Sequence, residues 1–345
     1  ESLGEAFESD LVRGVVLTDG LVGTFSRSDD PSLVQNRCFL YHVVGNGTGE
    51  WRVPVGGMGA LTDALATAAA GAGAELRTRT EVVRIDADGR RAEVELADGT
   101  RHPVAAVLSG AAPSVLERLL GRPRVEDPAV GAQVKVNMVV ERLPHLRAGV
   151  DPVTAFTGTL HVNEGHGGLD AAWAAASGGA LPEPVPCEVY CHSLTDDTVL
   201  GPELRRSGAH TLSLFSLQTP PSVIGAGPAG KEAAGRGCLD SLQSVLAEPL
   251  EDVLLRTPDG AACVDAHTPS DLEEALGLPG GNIFHGSLRW PWAEEAGEVG
   301  RWGTETDLAN VFLCGAGARR GGGVSGIGGH NAAMAALGLL GALAD

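Results

Sequence analysis

Lysine is nearly missing from this chain. It stands only at positions 135 and 231, and arginine supplies the rest of the positive charge, a preference that reads as coding bias. Acidic residues outnumber basic ones 44 to 25, for a formal net charge of −19. No segment concentrates a basic face able to neutralise phosphates, which excludes nucleic acid as a partner. The longest uncharged apolar run, from Ala332 to Ala344, is too short to cross a bilayer. No leader segment is expected before Glu1. A soluble, cytoplasmic chain, at most peripheral to a membrane, is the expectation. The six cysteines (38, 187, 191, 238, 263 and 314) are scattered and form no C-x-x-C motif. Cys187 and Cys191, followed by His192, suggest a metal or redox pair, but no second ligand pair lies at zinc-like spacing. Free buried thiols and no metal site are expected.

With 345 residues, 43% of them hydrophobic, the chain is long enough for two domains and a sizeable core. Its organising stretch is the last forty residues. Asn310-Val311-Phe312-Leu313-Cys314 reads as a short buried strand. It runs into Gly315-Ala316-Gly317-Ala318-Arg319-Arg320-Gly321-Gly322-Gly323-Val324-Ser325-Gly326 and then into an Ala- and Leu-rich helix from about Asn331. A strand, a turn with few side chains and a helix start let backbone N–H groups approach a polar or anionic ligand, helped by the helix dipole. The bland reading is a tight turn without a ligand. Six glycines between 315 and 326 exceed what a turn needs.

Taken in order, Leu3 to Arg13 reads as a helix, and Gly45-Asn46-Gly47-Thr48-Gly49 as a flexible turn. Trp51 to Val55 reads as a strand ending in Gly56-Gly57-Met58-Gly59, before a helix at 60–72. Glu75–Thr78, Glu81–Ile85, Ala92–Leu96 and Val104–Leu108 are strand-like, with Asp88-Gly89 and Asp98-Gly99 as turns between them. Further on, Gln133–Val140, Glu188–His192 and Thr211–Leu217 read as sheet strands around an Ala/Gly/Pro-rich excursion at 165–186. Leu239–Leu255 reads as an amphipathic helix and Leu272–Leu276 as a shorter one. Gly225-Ala226-Gly227-Pro228-Ala229-Gly230 matches G-x-G-x-x-G, but the preceding strand is too short, and Glu232 follows Lys231 where a phosphate loop needs Ser or Thr. A surface loop is expected there.

Pro54-Val55-Gly56-Gly57-Met58-Gly59-Ala60-Leu61, Glu81-Val82-Val83-Arg84-Ile85 and the run from Gly315 to Ala333 resemble the phytoene desaturase/carotenoid isomerase group of FAD-dependent oxidoreductases. His192-Ser193-Leu194-Thr195-Asp196, the run from Gly208 to Phe215, and Gly281-Asn282-Ile283-Phe284-His285-Gly286 look like the branch called pyridine nucleotide-disulfide oxidoreductase domain-containing protein 2. The resemblance covers nearly the whole chain. It implies an α/β fold of mixed α+β character, the C-terminal part of a two-domain FAD/NAD(P)-binding oxidoreductase with an inserted mixed-sheet substrate domain. The expected parts are 1–50 and 111–306 for substrate, and 51–110 and 307–345 for FAD.

The same resemblance implies cofactor contacts. Val82 and Val83 would meet the adenine side, and Gly315 and Gly317 the ribityl–pyrophosphate portion. Gly322, Gly323, Val324, Ser325 and Gly326 would face the isoalloxazine, with Gly56, Gly57 and Met58 on its other side. The chain departs from the family pattern: the N-terminal G-x-G-x-x-G and ribose-binding Glu are missing, Arg319-Arg320 replaces His-Pro, and Gly110 stands where Asn is common. The expectation is therefore a chain that retains little FAD and is inactive alone.

Catalytic candidates are few. His285 and Arg289 come first because they just precede the last cofactor strand. His42, His192 and His210 read as structural, and Asp196 and Asp197 as turn caps. Three functions stay open: a flavin oxidoreductase on an apolar, polyene or lipid-like molecule, a redox-neutral flavin isomerase, and a non-catalytic assembly module. The partners considered are that apolar molecule, a peripheral membrane surface, a second copy of the chain, and a missing N-terminal half.

Overall fold

The computed structural model describes residues 2–43, 52–123 and 129–344. The glycine turn expected at 45–49, and Trp51 at the head of the expected strand, lie outside the described residues. Helices are α1 (Ser2–Ala6), α2 (Asp10–Leu21), α3 (Val34–Val43), α4 (Gly57–Gly71), α5 (Pro113–Leu119), α6 (Pro152–Phe156), α7 (His166–Ser177), α8 (His192–Thr195), α9 (Pro202–Ser207), α10 (Gly227–Val245), α11 (Pro269–Leu276) and α12 (Ile327–Ala344). Strands are β1 (Val82–Ala87), β2 (Ala92–Leu96), β3 (Arg101–Val104), β4 (Val107–Ser109), β5 (Lys135–Val140), β6 (Leu160–Val162), β7 (Cys187–Tyr190), β8 (His210–Ser216), β9 (Val264–His267) and β10 (Val311–Leu313). Two compact units emerge, each of three segments. The first comprises Glu1–Gln35, Glu50–Leu76 and Gly131–Asp271, the second Asn36–Gly49, Arg77–Val130 and Leu272–Asp345.

The first unit is built on a five-stranded sheet in the order β6-β7-β8-β5-β9, antiparallel throughout. Alternation along the strands separates its faces. Val136, Met138, Val140, Cys187, Val189, Leu212 and Leu214 point into the main core, where Ala234, Cys238 and Leu242 of α10 meet them. Each large aliphatic side chain fully buried there contributes about 2 kcal/mol. A smaller cluster joins Leu17 and Leu21 of α2 to Leu169 of α7 and Leu217. The intervening residues of the strands, Lys135, His161, Glu188, Tyr190 and Phe215, form the opposite face.

Several local expectations change. Leu3–Arg13 is broken into α1 and α2, because Ser9 caps a new helix by accepting the Val12 N–H at 3.4 Å. The excursion at 165–186 contains the twelve residues of α7. The expected loop around Gly227 is the first turn of α10, with Pro228 at the position where its missing N–H costs nothing. That helix ends at Val245, not near Leu255. Residues 52–54 take no regular structure, and neither do 75–78.

The second unit holds the meander β1-β2-β3 and a separate parallel pair, β4 with β10. The meander turns where Asp-Gly stands. The Asp88 carboxylate accepts the Arg90 and Arg91 N–H groups at 2.8 Å each, and Asp98 accepts that of Thr100 at 2.8 Å. Val104–Leu108, expected as one strand, is divided by a bend at Ala105, so that β3 and β4 serve different sheets. Ile85, Leu116 and Val311 form one core cluster, and Phe312, Ala332 and Ala336 seat α12 on β10. Among the described residues no helix is long and apolar enough to cross a membrane.

Candidate cofactor site

The second unit places the strand, the glycine turn and the helix start as the sequence suggests, with α12 beginning at Ile327. The glycines of the turn divide into two kinds. Some are consumed by the turn's own packing: a Cβ on Gly315 would lie 2.5 Å from the Gly110 carbonyl oxygen, and one on Gly317 would lie 2.5 Å from Pro113 Cδ. The Gly110 backbone thus requires glycine at 315, whereas a Cβ on Gly110 itself would meet only Cys314 Sγ at 3.9 Å. Gly321 is closed in by the Gly315 carbonyl oxygen at 2.3 Å, and Gly322 by the ring of Phe284 at 3.0 Å.

Gly323 and Gly326 are of the other kind. Their φ angles are +72° and +71°, and a Cβ on Gly326 would meet nothing within 4 Å. Arg320 (φ +64°) and Val324 (φ +55°) share that left-handed conformation, unusual for side-chain-bearing residues and strained for a β-branched one. Val324 is 71% exposed. The turn therefore holds its backbone open over residues 323–326 while its base is packed tight. Ser325 Oγ accepts the Ile327 N–H at 3.3 Å, and the next N–H groups of the first turn of α12 have no intrahelical acceptor.

Residues that sequence reasoning passed over hold this turn. The Tyr41 phenol accepts the Arg320 N–H at 2.9 Å and donates to the Arg289 carbonyl at 3.2 Å. Its ring packs edge-on against Phe284 in a cluster with Cys38 and Leu288. Asn282, buried, accepts the Phe284 N–H at 2.8 Å. Asn282 and Phe284 belong to the quoted Gly281–Gly286 motif, so the signal was present without a role attached. Tyr41 carried no signal.

The two catalytic candidates fare differently. His285 adopts φ +65°, its Cβ lies 3.4 Å from where a Gly317 Cβ would stand, and its Nδ1 is buried without a hydrogen-bond partner. Burial holds its pKa below the ordinary histidine value, favouring the neutral ring. Arg289 instead pairs with Glu298, and lies 3.9 Å from Glu294. Glu298 also takes Arg319 at 2.7 Å, and Arg319 Nη1 donates to the Trp292 carbonyl at 2.6 Å. Arg289 is thus part of an ion-pair network with Arg319. In β1 the register shifts between Val82 and Arg84, so Val83 is the bulged residue, 45% exposed and outside the ladder. A shallow groove of about 300 Å³ in this unit is lined by Trp302, Phe312, Met334 and Leu339 but by no residue of 315–326.

In the first unit, Gly56 and Gly57 have φ of +87° and +71°, and Met58 is 50% exposed at the start of α4. The Gly56 N–H is held by Asp196. Of the histidines read as structural, His42 lies in α3 with Nδ1 3.0 Å from the Cys38 carbonyl oxygen. His192 opens α8, and His210 Nδ1 lies 3.2 Å from Ser193 Oγ. Cys187 and Cys191 are free and buried.

FAD is implied by the resemblance, and the geometry accommodates it. The open backbone at 323–326 and the helix N-terminus beside it leave room for such a group to approach the main chain.

Residues 18–145 match the family described as flavin containing amine oxidoreductase. An uncharacterized protein of Mycobacterium tuberculosis is 53% identical over 347 residues, covering 98% of this chain and 65% of its own length. The pyridine nucleotide-disulfide oxidoreductase domain-containing protein 2 of Mus musculus is 33% identical over 356 residues, covering 96% of this chain and 59% of itself. The chain therefore spans about two thirds of the length of the curated relatives it matches. Among solved structures, an oxidoreductase from Methanosarcina mazei has a TM-score of 0.56 at 15% identity, covering 94% of this chain and 64% of that one. A putrescine oxidase variant with redesigned cofactor binding has a TM-score of 0.53 at 15% identity, covering 99% and 67%. The chain has the mixed α/β fold of the flavin-containing oxidoreductases.

Proposed function

We propose that the chain is the larger part of an FAD-dependent oxidoreductase of desaturase or dehydrogenase type, acting in the cytoplasm on an apolar, lipid-like molecule. The observation that carries this reading is the open glycine backbone at 323–326 at the head of an eighteen-residue helix. Bound FAD would supply hydride acceptance and donation. The residues of the second unit that would hold it are Gly315, Gly317 and Gly322 to Gly326, with Val82 and Val83. The start of α12 would offer partial positive charge to a bound reduced flavin. His285, neutral and unpartnered at Nδ1, is available to accept a hydrogen bond or a proton at that atom. Support for an apolar substrate comes from the exposed side chains of these segments, Val83 and Val324.

The test is a flavin absorbance titration. The 345-residue chain is expected to retain little FAD, because several charge-assisted hydrogen bonds of about 1.5–3 kcal/mol each belong to a dinucleotide anchor that it lacks. A protein extended to the full length of the mycobacterial relative should bind FAD stoichiometrically, and Gly323→Val in it should abolish retention. A full-length, folded protein without flavin affinity would overturn the assignment. Product analysis with a polyene substrate separates desaturation from redox-neutral isomerisation.

A further inference from the structure

The first unit contains a second candidate site. His161 of β6 and Glu188 of β7 are directly paired across the sheet, and Glu164 follows β6 by two residues. One donor atom from each of the three lies within 4.8 Å of the others. His161 Nδ1 is 2.5 Å from Glu164 Oε2 and 3.8 Å from Glu188 Oε1. Glu164 is 1% exposed and Glu188 is 3% exposed. Sequence spacing hides this cluster, because Glu188 reaches it only through strand pairing.

Two buried carboxylates beside one imidazole are a costly arrangement unless the charge is balanced. The second oxygen of Glu164, Oε1, is buried with no hydrogen-bond partner. Glu188 is oriented from behind: the Tyr190 hydroxyl donates to its Oε2 at 2.5 Å, leaving Oε1 turned to His161. Such support of a ligating carboxylate is what metal centres use. Glu164 is fixed in place by α2. A Cβ on Gly14 would lie 1.8 Å from the Glu164 carbonyl oxygen, so only glycine lets that helix press on this loop.

We propose that His161, Glu164 and Glu188 form a binding site for a divalent transition cation of the zinc or manganese type. One imidazole nitrogen and two carboxylates suit such ions, and the present separations need only small movements to reach bond lengths of about 2.0–2.2 Å. The cation replaces the proton held between Glu164 and His161, which is released to solvent, and it occupies the unpartnered Glu164 oxygen.

The test is isothermal titration of the chelator-treated 345-residue chain with zinc chloride, and in parallel with manganese and magnesium chloride. Zinc or manganese is expected to bind at one equivalent, with magnesium at least 100-fold weaker. Glu164→Gln, which preserves shape, should lower affinity about 100-fold, and His161→Asn likewise. Glu248→Gln, at the exposed His145–Glu248 pair (2.8 Å), should leave it unchanged. Should a variant fold poorly by circular dichroism, X-ray absorption of the zinc-loaded wild type decides, with one nitrogen and two or more oxygens expected. Failure to bind at one equivalent, binding untouched by Glu164→Gln, or a sulfur ligand would overturn the proposal.

Discussion

The Asp196 carboxylate accepts the Gly56 backbone N–H at 2.6 Å with one oxygen, while its other oxygen takes the Thr198 hydroxyl at 2.7 Å. The hydrogen bonds from Thr198 and then from Gly56 hold its pKa below the ordinary carboxyl range. This one contact steadies the entry to α4, a helix of fifteen residues with no buried side chain. Asp196→Ala should therefore loosen α4 while sparing the sheet: amide exchange at 57–62 rises about tenfold and exchange in β5 and β8 does not change. The same loosening should appear in the wild type as pH falls below about 4, because a depressed carboxyl stabilises only while ionised.

Gly317 and Gly326 should respond unequally to alanine. At Gly317 the new methyl meets Pro113 Cδ at 2.5 Å, and the base of the turn must open. A fall in melting temperature of about 5 °C or more is expected. At Gly326 there is room and only the backbone penalty of about 1 kcal/mol applies. Thermal melts of the two variants check the ordering, and equal losses would contradict the division of the turn into a packed base and an open rim.

In cation-free buffer, Glu164 makes stability pH-dependent. Its folded pKa, raised to about 7, exceeds the unfolded value, so the protonated form is favoured on folding. That advantage is lost as pH rises from about 4.5 through 7, by about 3 kcal/mol. His161, burial notwithstanding, is also raised by its hydrogen bond to Glu164, and it loses its contribution in the same direction. Urea titrations from pH 5 to 8 should show the decline, and Glu164→Gln should flatten it.

Arg319 anchors the second unit. Its side chain is 6% exposed and bonds Glu298 at 2.7 Å and the Trp292 carbonyl at 2.6 Å. Arg319→Lys cannot reproduce both bonds and should lower the melting temperature by about 5 °C or more. Glu298, held at about 2 by the Glu294 N–H, Arg319 and Arg289, adds an acid limit. Its contribution is full above the ordinary carboxyl value and disappears as pH falls toward 2. Wild-type acid titration followed by tryptophan fluorescence should lose this phase in Glu298→Gln.

Much of the fold was readable where local chemistry dominates. Asp88-Gly89 and Asp98-Gly99 fixed the meander because Asp-Gly turns need no tertiary help, and 60–72 read as helix from alanine propensity alone. Pro228 misled because glycine and proline around it resemble a loop, although proline favours a helix's first turn. Val104–Leu108 read as one strand because a bend leaves the apolar pattern unbroken. At the site, the glycine run was visible, but which glycines serve packing was not, since Gly110 and Pro113 approach only in three dimensions. Tyr41 and the His161–Glu188 pairing were invisible for the same reason.

The parallel pairing of Val107 with Val311 has a consequence for biosynthesis. During translation β4 must wait, without its hydrogen-bonding neighbour, until the long segment between Ser109 and Val311 has left the ribosome. All five strands of the first unit's sheet are synthesised in that interval, so that sheet has its complete set of partners first. A nascent chain arrested before Val311 would carry a finished antiparallel sheet and an unpaired β4, a strand edge open to chaperones or to aggregation.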